Sequence, residues 1–170
     1  ATMMGGMGRT FDGGYAEYTC VPARQVVPFS SNLDWATLGA VPEMLQTAYG
    51  SLTIGLDAQS GQSILIRGGT SSVGMATAVL AKRLDMTVLS TTRSPRKVEE
   101  LRRIGAEYVV IDDGQIDACF SELGTHWSDG FDILVHCIAF APREAIIGDF
   151  LDGITRENYH IAHDISAYSL

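Results

Sequence analysis

The sequence predicts an α/β protein: a partial, parallel sheet of four strands in the order 3-2-1-4, alternating with helices and preceded by an N-terminal remnant of a β domain. Three observations carry this. From residue 63 onward, short apolar runs suited to buried strands alternate with segments of helical periodicity. Such alternation calls for a parallel sheet with right-handed crossovers. Between the first apolar run and the first helical repeat stands Arg67-Gly-Gly-Thr-Ser-Ser-Val-Gly74, a turn of small residues.

In chain order, residues 1–30 read as a truncated β segment. Glycines 5, 6, 8, 13 and 14 surround Phe11, and the alternating run 15–21 and the run 25–29 read as short strands joined by turns. So few strands bury neither face alone. Residues 31–170 read as one further domain. Asn32 or Asp34 is a candidate cap for a helix through Trp35, Leu38, Val41 and Leu45 to Leu52, with Pro42 expected to break it or to start a fresh turn. Ser63-Ile-Leu-Ile66 is the first central strand. Val73, Ala76, Leu80 and Leu84 then recur at helical spacing with Thr77 on the same face, and Thr87–Thr92 is the second strand. Ser94-Pro95 reads as a helix start, Val98, Leu101 and Ile104 as its buried face, Glu99 and Arg103 as an outer pair, and Gly105 as its end. The third strand is 108–111. A helix from Ile116 through Cys119 and Leu123 leads to the fourth strand, 132–139. Beyond it, Ile146, Ile147, Phe150 and Leu151 are the expected anchors of a loop, and a last helix starts at Thr155.

The 170 residues suffice for one α/β domain with a core, plus an appendage. A net charge of −8 argues against nucleic acid or an anionic membrane as partner and favours a small molecule. The chain has no run of the ~18 apolar residues that a membrane span needs and no basic, apolar leader pattern, so a cytoplasmic location is expected. Cys20, Cys119 and Cys137 are odd in number and show no Cys-x-x-Cys spacing, which favours reduced thiols over disulfides or structural zinc.

The glycine turn is the strongest chemical signal. Small residues let the backbone approach a pyrophosphate, whose charge sits well at the N-terminus of the following helix. Thr70, Ser71, Ser72, Val73 and Gly74 are the expected contacts, against the plainer reading of an ordinary strand-to-helix turn. At the end of the second strand, a dinucleotide without a 2′-phosphate usually meets Asp or Glu, whereas this chain has Thr91-Thr92-Arg93 and then Lys97. Thr91, Arg93 and Lys97 therefore point to NADP(H) in preference to NAD(H), because a guanidinium grips the phosphate that a carboxylate would repel. The alternative is a solvated basic helix start. His136, inside an apolar strand, reads as a core histidine. His160, His163 and Asp164 share a helix face that a metal fits, and no metal is expected there.

Residues 1 to about 115 resemble the zinc-independent quinone oxidoreductases of the medium-chain dehydrogenase/reductase superfamily. The resemblance rests on Gly13-Gly-Tyr-Ala-Glu-Tyr18, Leu45-Gln-Thr-Ala-Tyr-Gly50, the run 64–74, Thr91-Thr-Arg-Ser-Pro-Arg-Lys97 and the Leu101-to-Ala106 pattern. Residues from about 116 to 170, through Phe131-Asp-Ile-Leu-Val-His-Cys-Ile-Ala-Phe-Ala-Pro142 and the run 154–169, resemble the bacterial enoyl-acyl-carrier-protein reductases of the short-chain superfamily. The chain thus resembles a chimera joined near 115–117. The resemblance implies a Rossmann-type nucleotide domain, a β-barrel origin for residues 1–30, and hydride transfer from NADPH to an activated double bond or a quinone. It places Thr47 near the nicotinamide and Cys137, Ile138 and Ala139 along the cofactor, with Cys137 where serine is usual and more plausibly packed sulfur than a nucleophile. It implies a catalytic tyrosine and lysine downstream of Ser169, so no catalytic residue is assigned, and Tyr159 and Tyr168 do not occupy that motif. Where the zinc-dependent branch has a cysteine, Glu43-Met44-Leu45 stands, and no zinc is expected. The alternative function is a non-catalytic scaffold that at most binds nucleotide. An uncovered apolar edge on the fourth strand is expected to pair with a second copy of the chain.

Overall fold

The structure is a computed structural model that describes residues 1–2, 5–111 and 116–168. It divides into two compact units, Ala1–Gln46 and Thr47–Leu170.

In the first unit the runs expected as strands do not form a sheet. Residues 15–21 are bend and coil, Ala23–Gln25 is one 3-10 turn, and among the described residues the pairing is an isolated Met7–Phe11 bridge and two backbone hydrogen bonds between Ala1 and Val27. An alternating pattern becomes a strand only beside a partner ladder, and Tyr15 and Tyr18 here lie open to solvent at 111% and 92% exposure. The Asp34 carboxylate caps α1 (Trp35–Gly50), accepting from the Thr37 N–H at 3.0 Å and the Thr37 hydroxyl at 2.7 Å. Those two bonds hold its pKa below the usual aspartate value. Pro42 does not break this helix, which runs through it at the cost of one backbone hydrogen bond.

The second unit carries four parallel strands, β1 (Ser63–Arg67), β2 (Thr87–Thr92), β3 (Tyr108–Ile111) and β4 (Ile133–His136), in the order β3-β2-β1-β4. The register pairs Leu65 with Leu89 and with Leu134. Side chains alternate across the sheet and sort into two cores. Ile64, Ile66 and Val88 pack with α2 (Ser72–Arg83), α3 (Val98–Ile104) and Leu52; Leu65, Leu89 and Val110 pack with Leu123 of α4 (Ile116–His126), Trp127 and Phe131. With helices on both faces, β1 is buried along nearly its whole length, as a central parallel strand should be. Each fully buried Ile or Leu contributes about 1.5–3 kcal/mol.

Several details differ from the periodicity. The face of α2 that is fully buried carries Gly74, Ala76, Thr77, Ala78 and Ala81, while Val73, Leu80 and Leu84 are half-buried. Small residues win the inner face because they let the helix axis approach the sheet. The outer pairs of α3 are Lys97–Glu100 and Arg102–Glu99, at 2.6 and 2.9 Å, rather than Glu99–Arg103. β4 ends at His136 and 137–139 is coil, with the Cys137 N–H still bonded to the Arg67 carbonyl of β1. Ile146 and Leu151 are not anchors: they are 72% and 78% exposed, on either side of a turn before α5 (Phe150–Gly153). Thr155 caps α6 (Arg156–His163), its hydroxyl accepting from the Asn158 N–H. The helix then widens into a π-turn, Asp164–Tyr168. The join expected at 115–117 begins within 112–115, outside the described residues.

Candidate functional site

The strand order reverses at β1: the chain winds from β1 to β2 to β3, then returns through α4 to place β4 on the other side of β1. A crevice therefore opens beyond the carboxyl ends of the strands, the location where open α/β sheets bind ligands. A cleft of about 230 Å³ lies there, lined by Gly68, Thr70, Ser71, Thr91, Thr92, Arg93, Cys137, Ile138 and Ala139. A larger hollow of about 1220 Å³ within Ala1–Gln46 is lined by residues including Met7, Phe11, Tyr15, Tyr18 and Glu43 of α1.

The turn after β1 is built by close approach. Gly68 takes φ +74°, and a Cβ there would lie 2.9 Å from the Cys137 carbonyl oxygen. A Cβ at Gly74 would lie 2.5 Å from the Gly68 carbonyl oxygen. Ser71 caps α2, its hydroxyl accepting from the Gly74 N–H at 3.0 Å, and the Met75 N–H reaches the Ser71 carbonyl at 2.9 Å. The Ser71 N–H closes the turn on the Gly68 carbonyl. These bonds leave the N–H groups of Thr70, Ser72 and Val73 without a protein acceptor among the described residues, at the positive end of a 12-residue helix. The residues fit a pyrophosphate: glycine where a Cβ would collide, free donors, and no carboxylate in the lining.

Arg93, exposed at the mouth of the cleft, has no ion pair or hydrogen bond to a described residue. Lys97 stands outside the lining and is engaged by Glu100, whose carboxyl it holds below the usual glutamate value, first by the hydrogen bond and then by charge. Thr47 is exposed on α1, with its carbonyl accepting from the Ser51 hydroxyl, and is likewise outside the lining. Cys137 is half-buried, and burial pushes its thiol above the usual cysteine range, opposed by a hydrogen bond with Ser71. It therefore stays a thiol at neutral pH. His136, expected in the core, is half-buried, with Nε2 3.0 Å from the Ser166 carbonyl and Nδ1 buried with no partner among the described residues. His160 and His163 flank Tyr159, and no group of three His, Cys, Asp or Glu among the described residues is placed to hold a metal ion.

The structure thus brings Thr70, Ser71, Thr91, Arg93, Cys137, Ile138 and Ala139 to one cleft, with Ser72, Val73 and Gly74 in the first turn of the helix behind it. Gly68 and Thr92, absent from the expected contacts, line it too. The signal for Gly68 was its place as the first residue after a buried strand.

The enoyl-[acyl-carrier-protein] reductase [NADH] FabI of Neisseria meningitidis serogroup B is 44% identical over 120 residues, which cover 65% of this chain and 46% of that protein. The chain spans less than half the length of this relative. Among solved structures, the quinone oxidoreductase of Thermus thermophilus, determined alone and with NADPH, is 25% identical at a TM-score of 0.59, covering 72% of this chain and 39% of its own. An NAD-dependent alcohol dehydrogenase is 25% identical at a TM-score of 0.66, covering 75% and 37%. Enoyl reductase sequences and quinone oxidoreductase folds together are consistent with a chimera of the two families. The profile of the enoyl-(acyl carrier protein) reductase family matches residues 68–170, from the glycine turn to the last residue, and the chain belongs to that family.

Proposed function

We propose that the cleft at the ends of β1, β2 and β4 binds a nicotinamide dinucleotide, NADP(H) in preference to NAD(H), and that the chain is a reductase module acting on an activated double bond or a quinone. The observation that carries this is that Thr70, Ser71 and Arg93 line one cleft at the start of α2, where, among the described residues, the N–H groups of Thr70, Ser72 and Val73 have no acceptor and the Arg93 guanidinium has no partner. The N–H groups of Thr70, Ser72 and Val73 would hold the pyrophosphate. Arg93 would take the 2′-phosphate, without help from Lys97, and Ile138 and Ala139 would wall the cofactor on the β4 side. When bound, the cofactor supplies the hydride. The chain's own residues orient it and exclude water, and such transfer needs little covalent help.

The relatives divide on the cofactor: the Neisseria protein's name specifies NADH, and the Thermus structure contains NADPH. This chain's preference rests on Arg93. Turnover tests the reading. Oxidation of NADPH by the purified protein is expected with a small quinone or a crotonyl thioester, and folded protein inactive on both sinks the enzymatic reading. A second reading, a binding scaffold without catalysis, is favoured by one observation: among the described residues of the lining only Arg93 and Cys137 carry titratable side chains, and burial holds the Cys137 thiol above the usual cysteine range.

The same proposal takes the partner to be a small molecule and not nucleic acid or a membrane surface, and the location to be cytoplasmic. No helix among the described residues is long and apolar enough to cross a membrane. A homo-oligomer is also proposed. The outer edge of β4 carries no strand among the described residues, and Phe140, Ile146, Ile147 and Leu151 are exposed after it. Light scattering is expected to give a dimer or larger species, and a monomer at high concentration would contradict it.

A further inference from the structure

Thr91 stands next to last in β2, 1% exposed, where it was expected to touch the cofactor. Its hydroxyl is engaged elsewhere. The Gly68 N–H donates to Thr91 Oγ1 at 3.2 Å, and the Gly69 N–H donates to the Thr91 carbonyl at 3.0 Å. The β1–β2 register is paired through Ile66 and Ser90, one residue short of Thr91, so the backbone ladder is ending where the turn begins. The hydroxyl extends it by one bond and catches the first peptide of the turn. Nothing on the glycines themselves can do this. A Cβ at Gly68 would meet Cys137 and Ile138 at 2.9 Å, and one at Gly69 would meet Ser90 Cβ at 2.8 Å, so the turn is threaded between β2 and the chain after β4 with no side chain of its own to fix its tilt. The tilt matters because the N–H groups of Thr70, Ser72 and Val73 follow within five residues, and they converge on an anion only if the peptides before them are held.

We propose that Thr91 is a positioning residue for the phosphate turn: by accepting the Gly68 N–H, its side chain sets the direction in which the turn's free N–H groups point. This rests on the nucleotide reading above and alters one part of it. Thr91 acts on the cofactor through Gly68 and not by contact with the ribose or its phosphate. The two roles separate experimentally, since a residue that orients the pyrophosphate site treats NADPH and NADH alike, whereas a ribose contact does not.

Thr91→Val replaces the hydroxyl with a methyl group of similar volume. It is expected to weaken NADPH and NADH binding, measured by calorimetry, by the same factor, up to about tenfold, the loss typical of one hydrogen bond whose part-buried donor is left unsatisfied. In nucleotide-free protein the Gly68 amide should exchange hydrogen faster than in the unsubstituted chain. Thr91→Ser, which keeps the hydroxyl, should restore both. Unchanged Gly68 exchange in folded Thr91→Val, a loss confined to one nucleotide, or failure of Thr91→Ser to bind as the unsubstituted protein does would overturn the proposal. If the unsubstituted protein binds neither nucleotide, the nucleotide reading falls. The exchange comparison then separately retains or removes the Thr91–Gly68 clamp.

Discussion

A Cβ added at Gly74 would lie 2.5 Å from the Gly68 carbonyl oxygen, 3.0 Å from Ser71 Oγ and 3.1 Å from Gly69 Cα. Two of those three atoms are backbone, so the turn or the helix must move. Gly74→Ala is therefore expected to cost about 1–3 kcal/mol in urea unfolding and to abolish nucleotide binding with it. Gly124 is the control: it sits inside α4 with nothing within 4 Å of an added Cβ, and Gly124→Ala should raise stability by about 0.5–1 kcal/mol. Destabilisation at both positions, or at neither, would mean that the crowding around Gly74 is not what keeps it glycine. Ser71 shows a different economy. One hydroxyl both caps α2 and meets the Cys137 thiol, so the phosphate contacts left to the turn are mainly backbone. The motif showed which residues form the turn but not this division of labour, because a hydroxyl's partner is set by a strand more than sixty residues away.

At the scale of elements, β4 is fixed at its start by a side chain. The Asp132 carboxylate accepts from the Ser63 N–H and the Ser63 hydroxyl, both at 2.7 Å, and the Ser63 hydroxyl is 3.1 Å from the Asp132 N–H, joining the first residue of β1 to the residue before β4. The backbone bond first and the hydroxyl second hold the Asp132 pKa below the ordinary aspartate value. A folded-state pKa lower than the unfolded one gives a contribution that is complete above the unfolded value of about 3.9 and lost as the pH falls through the folded value. Acid unfolding of the unsubstituted chain should therefore include a component that Asp132→Asn lacks, the two proteins diverging in stability at neutral pH and converging at the acid end. A constant difference across that range would rule out the titration of Asp132 as its source. The strands, the helices between them and their order were legible from apolar runs and helical spacing. The buried face of α2 was legible in part: Ala76 and Thr77 are buried and Leu80 and Leu84 pack against the core as expected, while contact with the sheet also buries Gly74, Ala78 and Ala81, which a periodicity of large residues passes over. The fourth apolar run was read as eight residues, and only Ile133–His136 pairs with β1. Beyond it the Cys137 N–H still reaches the Arg67 carbonyl of β1 at 2.9 Å, and Cys137, Ile138 and Ala139 wall the cleft.

At the scale of the molecule, helices on both faces of a parallel sheet leave its carboxyl edge as the open concave place, and the reversal of strand order at β1 sets the crevice beside β4. Residues 1–46 were legible only as a pattern without partners: alternation at 15–21 predicted strands, and among the described residues no ladder receives them. The site was more legible than the rest because its chemistry is local, a strand, seven small residues and a helix, with the basic end of the next strand following. Lys97, expected to share a role with Arg93, lies outside the lining and pairs with Glu100. The specific proposal is that Arg93, whose guanidinium has no partner among the described residues, makes this cleft choose a 2′-phosphate. Calorimetric titration of the unsubstituted protein and of Arg93→Ala with NADPH and NADH tests it most directly. Tighter binding of NADPH by the unsubstituted protein, with the two affinities brought together by Arg93→Ala through loss of NADPH binding alone, is the predicted result. Equal affinities before the substitution, or binding of neither nucleotide, would contradict it.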